Sequence, residues 1–261
     1  MKLNNLNLKN IVENLLDAFL EAGKIAKKIS DKGVKISIKP DKTPVTDGDL
    51  AVDKILKTKI RDLTPNIPII SEETENLNIN NKSKSFWLID PIDGTRDYIK
   101  KRDEYTLNAA LIIDLQPAVG VVYAPAKDRL FFSYGKQFAY EISNGKTSKL
   151  DCVLKKNVNK IIGLENSGNT PIEILKIYEK YKVSETLKMS SSLKFCILAA
   201  GEADIYAAQA RAFEWDIAAG HAILVHSGGT ITTHNGEDFF YGKKNYKNLP
   251  ILARRSITLE K

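Results

Sequence analysis

The sequence predicts a layered α+β fold with two sheets. Two patterns support this prediction: strand-like runs separated by turn signals form an antiparallel meander between about residues 105 and 142, and helical and strand-like segments alternate from about residue 159. The composition, 43% hydrophobic and 27% charged, is that of an ordinary globular protein. It excludes intrinsic disorder, collagen-like sequence and a disulfide scaffold.

The individual elements follow from periodicity and turn residues. Ile11, Leu15 and Phe19 recur at helical spacing and predict an amphipathic first helix whose apolar stripe packs on the body of the protein. A turn is predicted around Pro40-Asp41, and a polar surface loop is predicted at 75–85. The predicted helices are 9–29, 47–63, 171–182, 192–201 and 216–226, and the predicted strands are 67–70, 86–89, 105–115, 118–123, 129–134, 137–142, 160–164 and 203–207.

A soft boundary near residue 150 divides the chain. We expect an N-terminal α+β lobe, 1–150, and a C-terminal α/β lobe, 151–261. The apolar runs are too short to span a bilayer, and Glu13 and Asp17 interrupt the apolar core that a signal peptide would need. The expected location is therefore cytoplasmic, and a peripheral position on the inner face of the cell membrane is left open.

The net charge and the few cysteines and histidines limit the kinds of partner and metal site that the sequence predicts. A net charge of +7 favours anionic partners, although a lysine-rich solvated surface is the simpler explanation. No zinc finger, RNA-binding signature or helix-turn-helix is recognisable, so no nucleic-acid partner is predicted. Cys152 and Cys196 lack metal-type spacing and read as free thiols, though one disulfide is a second reading. His221 and His226 read as core or helix-surface residues.

The most informative segment is a pair of acids after a buried strand. Asp90 and Asp93 flank Pro91-Ile92, and we expect the strand to stop there because proline cannot continue the ladder. Gly94 allows the backbone to approach a ligand closely. The residues after Thr95 can begin a short helix whose free N–H groups suit a phosphate.

Two further acids stand in similar places. Glu72 follows the apolar run at 67–70, and Asp216 lies at the head of a predicted helix. Each acid alone is more often a turn former or an N-cap. Together they would repel, by about 4 kcal/mol per pair at about 4 Å and an effective dielectric of about 20, unless a proton, a cation or a metal compensates them. Carboxylate oxygens are ligands that Mg²⁺ prefers, so the residues predict a magnesium site beside a phosphate-binding turn.

Four segments resemble the signatures of the inositol monophosphatase superfamily, in the same order as in that family. They are TPVTDGDLAVDKIL (43–56), SEE (71–73), WLIDPIDGTRDYI (87–99) and EWDIAAGHAILVHSGG (214–229). The similarity extends over nearly the whole chain. It implies a layered αβαβα sugar-phosphatase fold, like that of inositol monophosphatase and fructose-1,6-bisphosphatase, with two sheets between helices.

Within the superfamily the chain is most similar to the 3'(2'),5'-bisphosphate nucleotidases of the CysQ type. The resemblance rests on TPVTDGD, IISEE, DGTRDYIKKRDEYTLNAALI, GVVYAP (120–125) and SSLKFCILAAGEADIY (191–206). It implies a lithium-sensitive hydrolase that removes the 3'-phosphate of adenosine 3',5'-bisphosphate, giving AMP and phosphate, in sulfur metabolism. The alternatives are an inositol-1-phosphate or related sugar-phosphate phosphatase, a non-enzymatic anion- or RNA-binding protein and an inactive phosphatase scaffold.

The resemblance also implies roles for single residues. The expected partner is a small phosphorylated nucleotide, and the expected assembly is a monomer or a homodimer. Family enzymes typically carry an arginine where this chain has Ala208, and Arg211 is near it in sequence. The implied ligands of two or three Mg²⁺ ions are Glu72, Asp90, the carbonyl of Ile92, Asp93 and Asp216; the implied catalytic residues are Glu72, Thr95 and Asp49; and the implied substrate contacts are Ile92, Asp93, Gly94, Thr95, Ser191, Lys194 and Asp216.

Overall fold

The computed structural model describes residues 7–73, 83–154 and 160–256. In these ranges the chain forms helices, a small hairpin and two larger sheets. The helices are α1 (Leu8–Lys32), α2 (Asp47–Leu63), α3 (Thr95–Ile99), α4 (Ile172–Lys180), α5 (Leu193–Ala199) and α6 (Glu214–His226). The strands are β1 (Ile36–Ile38), β2 (Pro44–Thr46), β3 (Ile69–Ser71), β4 (Phe86–Asp93), β5 (Thr106–Ile113), β6 (Gln116–Ala124), β7 (Arg129–Ser133), β8 (Ala139–Ser143), β9 (Lys146–Lys149), β10 (Ile162–Glu165), β11 (Glu185–Lys188), β12 (Ile205–Ala208), β13 (Thr230–Thr232) and β14 (Ile251–Arg254).

The larger sheet has seven strands in sequence order, from β3 to β9. Its pairs are antiparallel except β3 with β4, which run parallel. Side chains alternate across it. Trp87 and Ile89 of β4 pack with α1 and α2 on one face, and Phe86 and Leu88 pack on the opposite face. The sheet is therefore covered on both sides, which explains why its central strands are apolar throughout.

The second sheet has five strands in the order β11-β10-β12-β14-β13. Helices α5 and α6 lie between the two sheets, because Phe195 and Ile223 share one apolar core with Leu88 of the first sheet and Ala253 of the second. Helix α4 covers the outer face, where Tyr178 packs on Leu252. The layers are thus helix, sheet, helix, sheet, helix, and the predicted αβαβα class is confirmed.

Most predicted elements lie within a few residues of observed ones. The predicted loop 75–85 falls largely on residues 74–82, outside the described residues. Six observed strands are not among the predicted ones: β1, β2, β9, β11, β13 and β14. They are three or four residues long, and β1, β9 and β11 are exposed along their whole length. The exposed strands lack the apolar alternation that marks a strand in sequence, and the others, such as the buried β14, are too short to give a clear pattern. The division at residue 150 stays a prediction.

One expectation about β4 is wrong. The strand does not stop at Pro91 but continues to Asp93 through a β-bulge between Asp90 and Asp93. A bulge tolerates proline because its extra residue is left out of the hydrogen-bond ladder. In the described parts of the chain, every helix is too short or too polar to cross a membrane. Cys152 and Cys196 are separate buried thiols.

Candidate active site

The bulge at the end of β4 sets the positions of its two aspartates. Asp90 pairs with Asn108 of β5 and Asp93 pairs with Thr106, so β4 has one more residue than its partner between these pairs. Gly94 follows with φ of 93°, and a Cβ there would lie 3.0 Å from the carbonyl oxygen of Glu104. Glycine is needed at this turn because an L side chain is strained at this φ and would also crowd the backbone.

Three carboxylates from three elements converge beside the bulge. One carboxylate oxygen from each of Glu72, Asp90 and Asp216 lies within 4.8 Å of the others. Glu72 follows β3, and its backbone N–H donates to the carbonyl of Ile89 at 3.0 Å, which extends the parallel pairing with β4. Asp216 is the third residue of α6, and its Oδ2 accepts the backbone N–H of Phe213 at 2.8 Å.

The cluster is electrostatically unfavourable without a cation. Burial, reinforced by the negative charges of Glu72 and Asp93, raises the pKa of Asp90 well above its usual value. Burial and the charges of Asp93 and Glu72 do the same to the pKa of Asp216. Among the described residues, Asp90 Oδ1 is buried and has no hydrogen-bond partner. A buried orphan oxygen surrounded by carboxylates is what a divalent cation would compensate.

The remaining implied ligands and cradle residues line the same cleft. This acidic cleft has a volume of about 410 Å³, and its walls include Ile92, Asp93, Gly94 and Thr95 beside the three converging carboxylates. Burial raises the pKa of Asp93 to about 6, against the opposing attraction of Lys194. Among the described residues that line the cleft, the acidic side chains offer oxygen ligands and there is no histidine or cysteine, which fits Mg²⁺ or a similar hard cation.

Asp49 and Thr95 are connected behind the cleft. Asp49 closes a capping box with Thr46 at the start of α2, where its Oδ2 accepts the backbone N–H of Thr46 at 2.8 Å. Its Oδ1 lies 3.3 Å from the hydroxyl of Thr95, which also lies 3.1 Å from the carbonyl of Ile92. Asp49 is 1% exposed, and Thr95 connects it to the cleft. Burial raises its pKa, and hydrogen bonds from Thr46 oppose this.

A second cavity opens beside the acidic cleft. This side pocket, of about 240 Å³, is lined by Asp93, Ser191, Lys194 and Asp216 together with apolar side chains. Ser191 lies in both cavities. Lys194 is 4% exposed, and its Nζ donates to the carbonyls of Met189 and Ser191 at 3.2 and 2.7 Å. The structure therefore brings all ten sequence-predicted site residues into the two cavities or into contact with them.

Sequence reasoning missed several residues around the site. The Nζ of Lys39 lies 3.0 Å from Glu72 and 2.7 Å from Glu73. Lys39 is one of several lysines in a polar stretch, and no sequence pattern predicts these ion pairs. The backbone N–H of Ser192 donates to Asp93. Asn166, directly after β10, lines both cavities, and its place after an apolar strand was the only signal that could have identified it.

Comparison with known proteins identifies the family. The model of the inositol monophosphatase family matches residues 7–255. A 3'(2'),5'-bisphosphate nucleotidase CysQ of Buchnera aphidicola is 38% identical over 242 residues, covering 90% of each chain. The CysQ of Salmonella typhimurium is 32% identical over 217 residues, covering 80% of this chain and 84% of that protein.

A solved structure agrees with these sequence matches. The crystal structure of CysQ from Bacteroides thetaiotaomicron, described as a bacterial member of the inositol monophosphatase family, superposes with a TM-score of 0.78 at 25% identity. The match covers 95% of this chain and 97% of that one. The family model covers nearly the whole chain, and the acidic cleft lies where its signature segments meet. The chain belongs to the inositol monophosphatase family.

Proposed function

We propose that the protein is a Mg²⁺-dependent phosphomonoester hydrolase that converts adenosine 3',5'-bisphosphate to AMP and phosphate. The observation that carries this proposal is the convergence of Glu72, Asp90 and Asp216 within 4.8 Å, next to a side pocket that contains cationic side chains. The names of the two CysQ relatives point to a bisphosphate nucleotide as the substrate.

The cations would be held by the residues that the resemblance indicated. Glu72, Asp90, Asp93, Asp216 and the carbonyl of Ile92 are the proposed ligands of two or three ions. When bound, Mg²⁺ supplies Lewis acidity, which lowers the pKa of water and offsets negative charge on a phosphate. Asp90 Oδ1, buried without a partner among the described residues, supports this assignment.

The chain's own groups would orient the attacking water. Glu72 keeps 27% of its side-chain surface exposed, so its carboxylate can accept a proton from water in the cleft. The hydroxyl of Thr95 is fixed between the carbonyl of Ile92 and Asp49, so its oxygen has a defined position beside the bulge. The N–H groups at the start of α3 and the flexible geometry of Gly94 allow the phosphate to approach the backbone closely.

The nucleoside part of the substrate would occupy the side pocket. Its lining combines polar groups, such as Ser191 and Asn166, with the apolar side chains of Phe195, Leu249 and Ile251. Small-molecule pockets of this mixed kind bind an apolar ring on one wall and fix its orientation with a few polar groups. A nucleoside has both parts.

Phosphate release tests this proposal directly. The purified chain with Mg²⁺ is given adenosine 3',5'-bisphosphate, inositol 1-phosphate and fructose 1,6-bisphosphate in parallel, and kcat/KM is measured for each. We expect the bisphosphate nucleotide to be the best substrate and the rate to vanish with excess chelator. A higher kcat/KM on inositol 1-phosphate would replace the nucleotide with a polyol phosphate as the substrate.

A further inference from the structure

Three cavities meet at one arginine. Arg211 lies in the turn between β12 and α6 and lines the acidic cleft, the side pocket and a third cavity of about 60 Å³ next to the start of α4. Asp93 and Asp216 border the first two cavities but not the third. A ligand that extends from the acidic cleft into the side pocket therefore passes Arg211.

The other cation of the side pocket is already engaged. Lys194 is 4% exposed, its ammonium donates to two backbone carbonyls, and it stands 5.2 Å from the centroid of the Tyr206 ring. Burial lowers its pKa to about 8, although Asp93 opposes this effect. These contacts fix Lys194 in the wall of the pocket, where it provides a positive field and has little freedom to follow a ligand.

Arg211 differs from Lys194 in its exposure and in its contacts. Its side chain belongs to an exposed residue, and within residues 7–73, 83–154 and 160–256 its guanidinium makes no hydrogen bond or ion pair. Its charge acts on two groups of the side pocket. Burial is the main cause of the lowered pKa of Lys194, and Arg211 lowers this pKa further. Burial raises the pKa of Tyr206, and Arg211 opposes this effect. A guanidinium carries five N–H donors in a fork that matches a phosphate, and here they remain unused.

The other described residues that line the side pocket offer no further cation for a phosphate. Ala208 lines the side pocket and the third cavity and has no polar side chain. Gln209 lies beside it and is uncharged. Among the described residues that line the side pocket, the cations are Lys194 and Arg211. A second anionic group on a substrate held in the acidic cleft would thus find the exposed guanidinium of Arg211 as its cationic partner.

We infer that Arg211 is the specificity-determining residue that binds the second phosphate of the substrate. This inference rests on the proposed function, and it says how the chain would prefer a bisphosphate nucleotide to a nucleoside monophosphate. The reacting 3'-phosphate lies in the acidic cleft, and the 5'-phosphate reaches the guanidinium at the junction of the three cavities. Arg211 takes no part in bond cleavage.

Steady-state kinetics on two nucleotides test the inference. The substrates are adenosine 3',5'-bisphosphate and adenosine 3'-monophosphate, which lacks the 5'-phosphate. For Arg211→Gln we expect kcat/KM on the bisphosphate to fall by about 10- to 100-fold, mainly through KM, since a charge-assisted hydrogen bond is lost. On the monophosphate we expect a change of less than about 3-fold, since no such bond exists there.

Two further variants sharpen the comparison. Arg211→Lys keeps the charge but not the bidentate fork, and its kcat/KM on the bisphosphate should lie between those of the wild type and Arg211→Gln. Arg61→Gln removes an equally exposed arginine from the last turn of α2, away from the cavity linings, and should leave both substrates unaffected. AMP carries only the 5'-phosphate, so its inhibition constant should rise with Arg211→Gln.

The outcomes separate this inference from the proposed function. Equal losses on both nucleotides, or an unchanged ratio together with unchanged inhibition by AMP, would overturn the role of Arg211 while the nucleotidase assignment stands. If the wild type itself hydrolyses inositol 1-phosphate better than the bisphosphate, the proposed function fails, whatever the variants show. Thermal unfolding of each variant checks that the fold is retained, as expected for an exposed side chain.

Discussion

At the scale of single residues, Asp93 connects the acidic cleft with the side pocket. It lines both cavities and accepts a hydrogen bond from the backbone of Ser192. Asp93→Asn keeps one oxygen acceptor but loses the negative charge that would hold a cation. We expect Mg²⁺-dependent phosphate release to fall by at least about 100-fold, since electrostatic stabilisation by a metal is worth several kcal/mol.

The control for this variant is Asp62→Asn. Asp62 is an exposed acid near the end of α2, so its neutralisation should leave turnover within about 2-fold. Circular dichroism should show that both variants keep the wild-type secondary structure. Near-normal phosphate release by Asp93→Asn would remove Asp93 from the set of proposed ligands.

The pKa of Asp93 makes a separate prediction about stability. Burial raises it from 3.8 to about 6, so the folded protein without Mg²⁺ binds more protons than the unfolded chain in this pH range. The stability that Asp93 contributes is therefore complete below pH 3.8 and is lost as the pH rises through about 6. Asparagine does not titrate. In chelator, we expect the unfolding free energy of Asp93→Asn, measured relative to wild type, to rise by about 2 kcal/mol from pH 4 to pH 7.5. The pKa of about 6 already includes the attraction to Lys194.

Urea unfolding of both proteins at several pH values measures this difference. A difference that stays constant from pH 4 to pH 7.5 would show that the carboxyl of Asp93 is not destabilised by its surroundings. Comparing two proteins at each pH cancels the contribution of titrating groups far from Asp93. The contributions of Asp90, Asp216 and Lys194 do not cancel, because the charge of Asp93 affects the pKa of each.

How far single residues could be predicted depends on whether their signal is local. Asp90 and Asp93 directly follow an apolar run in the sequence, and this local pattern marks them as unusual acids. Lys39 and Arg211 have no local signal, because their positions depend on how a hairpin and a turn fold over the cleft from distant parts of the chain. The convergence of the carboxylates could be predicted from sequence, whereas the placement of Lys39 and Arg211 beside them could not.

At the scale of elements, the start of α2 supports the cleft from behind. The hydroxyl of Thr46 accepts the N–H groups of Gly48 and Asp49 at 3.1 and 3.3 Å and donates to Asp49 at 2.5 Å. Asp49 in turn lies beside the hydroxyl of Thr95. Thr46→Ala removes the cap, so we expect about 1–2 kcal/mol lower unfolding free energy and a lower kcat, since Thr95 loses a fixed neighbour.

Two substitutions serve as controls for this cap. Thr46→Ser keeps the hydroxyl and should restore both stability and turnover to near wild type. Thr58→Ala changes an exposed threonine in the middle of the same helix and should cost less than about 0.5 kcal/mol. The role of the cap is refuted if Thr46→Ala is as stable and as active as Thr58→Ala.

The elements themselves could be predicted to different degrees. The predicted helix 47–63 has the observed bounds of α2, and in the structure a capping box of Thr46 and Asp49 fixes its start. Strand β11, Glu185–Lys188, was missed because it is exposed at the edge of its sheet and reads as polar loop. Its pairing with β10 is set by tertiary packing, which the local sequence does not record.

At the scale of the whole molecule, the acidic cleft lies where the layers of the fold meet. Glu72 directly follows β3, Asp90 lies in β4 and Asp216 lies in α6. The larger sheet and the middle helix layer must therefore both be formed before the carboxylates are close. Gly120 of β6 shows how closely these layers pack, since a Cβ there would lie 2.3 Å from the carbonyl of Ala219 in α6. Repulsion among the acids opposes this packing and a bound cation would relieve it.

Mg²⁺ should therefore stabilise the entire fold, and the size of the effect should report how many ions bind. Above the dissociation constant, each tenfold increase in free Mg²⁺ adds about 1.4 kcal/mol of unfolding free energy per ion. We expect a slope of about 2.7 kcal/mol per decade or more if two or three ions are held. Urea unfolding at pH 7.5 and constant ionic strength, over several decades of free Mg²⁺, measures it. Asp93→Asn should show a smaller slope, and a wild-type slope near zero would contradict a metal site in this cleft.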